Sequence, residues 1–77
     1  MTKVNVMFQS TDDIQGFVRI AEQFPDDLDL KFGSYMVDGK SILGILSLGT
    51  HRILELQIHS DECSEFLEQI KDYVTEG

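Results

Sequence analysis

Tryptophan is absent, cysteine and proline occur once each, and acids far outnumber bases. Each shortage excludes something. A lone Cys63 cannot form an internal disulfide, so a stapled secreted scaffold is ruled out and a reducing cytoplasm is the expected setting. No apolar run approaches the ~18 residues that a membrane span requires, and no basic leader precedes a hydrophobic stretch. Neither an anchor nor a signal peptide is therefore predicted. Lys and Arg number 6 against 14 Asp and Glu, a formal charge of −8. That field repels phosphate backbones, which sets nucleic-acid binding aside and favours a protein partner with a basic docking surface. A Gly-rich phosphate loop, G-x-S-x-G and H-E-x-x-H are all missing, so neither an enzyme nor a cofactor is expected.

What is present is enough apolar material for one modest core: 42% of 77 residues, suited to one domain over 1–77. Val4, Val6 and Phe8 alternate with Lys3, Asn5, Met7 and Gln9, the period of a strand covered on one face. Ser10-Thr11-Asp12-Asp13 reads as a helix start, since Ser10 and Asp13 resemble a capping box and two acids complement the dipole. Ile14, Phe17, Val18 and Ala21 keep helical spacing, Phe24 closes the face, and Pro25 stops the helix. Gly16 costs that helix ~1 kcal/mol relative to alanine, which points to close packing or an irregular first turn.

Leu28, Leu30 and Phe32 mark a second strand, Gly33-Ser34 a bend, and Tyr35-Met36-Val37 a third strand ending at Asp38-Gly39. Leu54, Leu56 and Ile58 alternate with Ile53, Glu55, Gln57 and His59 as a fourth strand. Ser60-Asp61-Glu62 is expected to cap a last helix, with Phe66, Leu67, Ile70, Tyr73 and Val74 as its buried stripe. The order β-α-β-β-α-β-α, with one apolar face per strand, predicts an α+β two-layer open-faced sandwich. Its four-stranded antiparallel sheet carries three helices on one face.

The most informative stretch runs from Asp38 to Gly49. Ser41 stands at the N-cap of a short helix whose Ile42, Leu43, Ile45, Leu46 and Leu48 crowd more than one face. A domain this small cannot bury them all, so some should form an exposed contact surface. Gly44 permits close approach, and Gly49 ends the helix. A plain connecting helix with an ordinary cap is the simpler alternative. His51 and His59 are the only histidines, and with Asp61, Glu62 and Cys63 they match no strong metal-ligand spacing. Cys63 lacks a recognisable base partner and reads as a small, partly buried residue.

Lys40-Ser41-Ile42-Leu43-Gly44-Ile45-Leu46-Ser47-Leu48-Gly49 resembles the K-S-I-M-G-V-M-S-L-G signature of the HPr family, the small phosphocarriers of the bacterial sugar phosphotransferase system. Ala21 to Leu30 also fits without gaps, and the strand-helix order agrees throughout. The resemblance implies an HPr-like sandwich, cytoplasmic and bacterial. It puts Ser41 on the regulatory serine that an HPr kinase phosphorylates, and Ile42, Leu43 and Leu46 in the docking patch for partner enzymes.

The departure lies at the first helix, where phosphate-carrying members have I-H-A-R-P-A. Aligning Ile14 with that isoleucine puts Gln15, Gly16 and Phe17 at the histidine, alanine and arginine positions; reading back without gaps from Ala21 puts Ser10 at the histidine. Neither alignment supplies the imidazole nucleophile or the adjacent cation that the transfer needs. Asp12 and Asp13 add negative charge where phosphate would arrive, and Arg19 lies too far along to substitute. A Crh-like branch of the family also lacks that histidine and works through its serine alone. The sequence therefore predicts a non-enzymatic regulatory or docking module, monomeric or weakly dimeric, with HPr kinase, phosphotransferase-system proteins or regulatory proteins as its partners. Two alternatives stay open: a phosphocarrier using His51 or His59, away from the family's site, or an interaction domain of this fold unrelated to sugar transport, possible as a homodimer burying the apolar helix.

Overall fold

A computed structural model describes residues 1–76. Seven elements follow in the expected order: β1 (Thr2–Val6), α1 (Thr11–Ala21), β2 (Leu28–Phe32), β3 (Tyr35–Asp38), α2 (Ile42–Leu48), β4 (Leu54–Ile58) and α3 (Ser64–Gln69). The strands form one antiparallel sheet in the order β1-β4-β2-β3. Register Val6↔Leu54, Val4↔Leu56, Leu30↔Leu56 and Leu30↔Val37 lines the apolar residues up on one face. There they meet Ile14, Phe17 and Val18 of α1, Ile45 and Leu48 of α2, and Phe66 of α3 in one core. Burying side chains of this size stabilises by ~1.5–3 kcal/mol each.

The ends of the helices differ from the sequence reading. α1 stops at Ala21 rather than at Phe24. Gln23 and Phe24 donate to Ile20 and Ala21, the i→i−3 bonds of a tightened last turn, and Phe24 still packs its ring 5.2 Å from that of Phe66. α3 begins after Cys63, and that N-cap makes no side-chain cap bond. Ser60 Oγ instead accepts from Glu62 N at 3.1 Å, a local turn that takes up the hydroxyl before the helix starts.

The predicted stripe of the last helix also divides. Phe66 and Ile70 are buried, but Tyr73 and Val74 lie beyond the helix and Val74 is exposed. Val74 forms an antiparallel bridge with Val6, Met7 N donates to the Tyr73 carbonyl at 2.9 Å, and Thr75 N donates to that of Asn5 at 2.9 Å. Residues 73–75 thus cover the outer edge of β1. β3, at the other end of the sheet, has no such cover among the described residues.

Candidate functional site

Two helix starts hold the residues that the sequence singled out. At the first, Ser10 is extended and its Oγ accepts from Asp13 N at 3.2 Å, while Asp13 Oδ2 accepts from Gln9 N at 2.9 Å. The hydroxyl thus takes one orphan donor of α1, and the carboxylate ties down the residue before the cap. Gln15 is exposed, whereas Phe17 is fully buried, its ring 5.2 Å from Phe8 and 6.2 Å from Phe66. Phe17 is a core residue. Between them, Gly16 lies under Tyr73: a Cβ there would stand 2.7 Å from the Tyr73 hydroxyl. This is the close packing that an in-helix glycine suggested. Partial burial, then Asp13 and Asp72, push the Tyr73 phenol above its ordinary value, against the smaller opposing effect of Arg19.

At the second start, Ser41 is extended and its Oγ accepts from Gly44 N at 3.1 Å. The approach is pinned from three sides. Lys40 N donates to Asp38 Oδ1 at 2.9 Å, Lys40 Nζ to the Phe24 carbonyl at 2.7 Å, and Ser41 N to the Asp38 carbonyl at 3.1 Å. Gly44 lets α2 settle on β3, since a Cβ would lie 3.2 Å from Val37 Cβ. Gly49 closes the helix at φ 91°, ψ 174°, a region open in practice only to glycine. The helix seated this way buries Ile45 and Leu48 and leaves Ile42, Leu43 and Leu46 in solvent, Leu43 at 80% exposure.

The histidines stand at opposite ends of β4. His59 follows it, with Nε2 2.8 Å from Asp29 Oδ2, a carboxylate partner that no local pattern announced. His51 precedes it with φ 58°, and its backbone N–H donates to the Phe8 carbonyl at 2.8 Å. That bond brings His51 beside the start of α1, contrary to the expectation that neither histidine lies near that region. Among the described residues no cluster of three or more His, Cys, Asp or Glu is placed to hold a metal.

A four-stranded antiparallel open-faced sandwich with three helices, one of them short and serine-capped, is the fold of the small phosphocarrier proteins. The chain belongs to the HPr family: the family model for the PTS HPr component phosphorylation site matches residues 14–76. The phosphocarrier protein HPr from Bacillus anthracis is 26% identical, with 96% of each chain covered and a TM-score of 0.73. HPr-C-His from Thermoanaerobacter tengcongensis, at 24% identity over 94% of this chain and 89% of that one, has the same fold with a TM-score of 0.77. Crh of Bacillus subtilis, a swapped dimer, is 25% identical over 92% of this chain and 88% of that one, with a TM-score of 0.66. No curated protein matches the chain. Members of this family are phosphocarriers rather than enzymes, and they interact with other phosphotransferase-system proteins.

Proposed function

We propose that this chain is a bacterial, cytoplasmic HPr-family domain, acting as one unit over residues 1–77, that docks on or regulates other phosphotransferase-system proteins. In this reading it accepts no phosphate on a histidine of α1. The observation that carries it is the surface of α2, where Ile42, Leu43 and Leu46 face solvent around a helix that has no charge of its own. Ser41 would be the switch at the edge of that surface. A phosphoryl group there would add roughly −1.5 to −2 charges beside an apolar patch, repelling one partner and recruiting another through Lys or Arg. The start of α1 supports the loss of histidyl transfer. Residues 1–50 hold no histidine, one helix donor, Asp13 N, is already taken by the Ser10 hydroxyl, and the Asp13 carboxylate beside it opposes an incoming phosphate.

The test is intact mass after incubation with ATP and an HPr kinase, with Ser41→Ala as control. One added phosphate, absent in the variant, supports the switch. No addition removes Ser41 from the reading and leaves it a helix cap, with docking by unmodified α2.

A second reading, a phosphocarrier that uses His51, is favoured by the bond from His51 N to the Phe8 carbonyl, which sets this residue beside the α1 start. Acid-labile phosphate formed from phosphoenolpyruvate and the general phosphotransferase enzyme, and lost in His51→Ala, would support it. No uptake would sink it.

A further inference from the structure

The sheet has two edges, and among the described residues only one is covered. β1 is overlaid by residues 73–75, whereas no described segment lies beyond β3 in the strand order. Natural edge strands are blunted by shortness, charged side chains, proline or a covering segment, because their unpaired N–H and C=O groups recruit another strand. β3, Tyr-Met-Val-Asp, has no lysine or proline, and it leaves Tyr35 69% and Met36 51% exposed. Phe32 and Tyr35 flank the two-residue turn and form the closing pair of the hairpin. The alternation of an antiparallel ladder therefore points the Met36 backbone N–H and C=O away from β2.

Behind this edge lies a groove of about 430 Å³ between β3 and the end of α2, floored by Phe32, Val37 and Leu48. Its volume is within the ~300–1,000 Å³ of ordinary ligand clefts. The Arg52 guanidinium stands in the same groove, its carbon 5.0 Å from the centroid of the Phe32 ring. In a chain with 14 acids, this cation forms no ion pair among the described residues. Cation–π attraction holds a guanidinium over a ring face while its N–H groups stay available to a carboxylate.

We infer that β3 receives the C-terminal segment of a partner protein by antiparallel strand addition, with its alternate apolar side chains in the groove and its terminal carboxylate on Arg52. The polarity follows from the placement. Arg52 covers Phe32, the register partner of Tyr35, and so stands at the N-terminal end of β3. The end of an antiparallel incoming strand that reaches that position is its C-terminus. A second copy of this chain is the poorer occupant, because each copy brings a charge of −8. Main-chain bonds would supply affinity, and the groove and the arginine specificity. This surface is distinct from the exposed Ile42, Leu43 and Leu46, and it stands whether or not Ser41 is a switch.

The experiment is an amide-shift titration of the labelled protein with the peptide acetyl-Lys-Val-Thr-Val-Thr-Val, as free acid and as C-terminal amide. The free acid is expected to shift residues 35–38 and 47–52 and to bind about tenfold tighter than the amide, the scale of a hydrogen-bonded charge. Arg52→Ala should abolish that difference, and Met36→Pro should remove binding of both peptides. If Met36→Pro fails to fold, the Arg52 variant decides alone. The proposal is overturned by an absence of shifts up to millimolar peptide, by equal affinity for acid and amide, or by shifts away from β3. Concentration-dependent shifts of β3 without peptide would overturn it too, assigning the edge to a second copy.

Discussion

Gly16 and Tyr73 form a pair whose coupling has a definite sign. Alanine in place of Gly16 gains ~1 kcal/mol of helix propensity, but its Cβ would stand 2.7 Å from the Tyr73 hydroxyl and push the ring off its seat. Gly16→Ala is expected to be neutral or destabilising in the natural chain, and stabilising by up to ~1 kcal/mol in a Tyr73→Phe background. Urea unfolding of the four-member cycle measures this; equal effects in both backgrounds would mean the hydroxyl is not the obstacle. The same phenol sets a pH dependence. Its folded value is raised above the ordinary 10.0, so the neutral form is favoured by folding. Its contribution is complete below pH 10 and declines as pH rises above that value, and Tyr73→Phe should flatten the alkaline limb of the stability profile. Ser41→Ala removes the acceptor for Gly44 N and should cost about 1 kcal/mol, whereas Ser41→Asp, which can still accept, should cost less. Chemical denaturation separates the two. At this scale the sequence announced the caps at Ser10 and Ser41, whose partners lie three residues away. It was silent on Tyr73 over Gly16, Arg52 over Phe32 and His59 beside Asp29, because those neighbours meet only after the chain has folded.

Within α2, stability and docking belong to different residues. Ile45 is fully buried and Leu43 is 80% exposed, one turn of the same helix apart at most. Ile45→Ala should destabilise by ~2–5 kcal/mol, and Leu43→Ala by no more than ~0.5 kcal/mol. If α2 is the docking surface, Leu43→Ala should weaken partner binding without lowering the unfolding midpoint. A variant that lost both together would place Leu43 in the core instead. Spacing alone did not make the inward face legible, because Leu43 and Leu46 are three apart just as Ile45 and Leu48 are; only the family resemblance put Ile42, Leu43 and Leu46 outward. The ends of α1 and α3 were not legible either. Pro25 forbids helix beyond Phe24, but the chain tightens three residues earlier to fit Phe24 against Phe66. Ser60-Asp61-Glu62 has the residues of a cap, and its hydroxyl bonds the very next turn instead of a helix. Cap chemistry and turn chemistry use the same side chains, so only the folded chain tells them apart.

Over the whole molecule, alternation in each strand was sufficient for the two-layer arrangement, because a residue pair one apart must face opposite ways. The order β1-β4-β2-β3 was not readable from it, since four strands with equal patterns can be permuted without exposing a single apolar face. What the sequence does fix globally is charge, and charge gives two salt dependences of opposite sign. The Debye length falls from ~30 Å at 0.01 M to ~8 Å at 0.15 M salt. The radius of gyration is 10.9 Å, so in dilute salt acids repel one another across the entire chain, and at 0.15 M only neighbours do. Adding salt should therefore stabilise the free protein; a gain of about 1 kcal/mol would raise Tm by ~4–8 °C in a domain of this size. A partner with a basic rim is drawn by that same field, so its association rate should fall over the same salt range. Thermal melts and stopped-flow association at matched salt concentrations test both. If stability and association rate rise together with salt, the acidic surface is not what the partner recognises, and the encounter must rest on apolar contact such as the exposed face of α2.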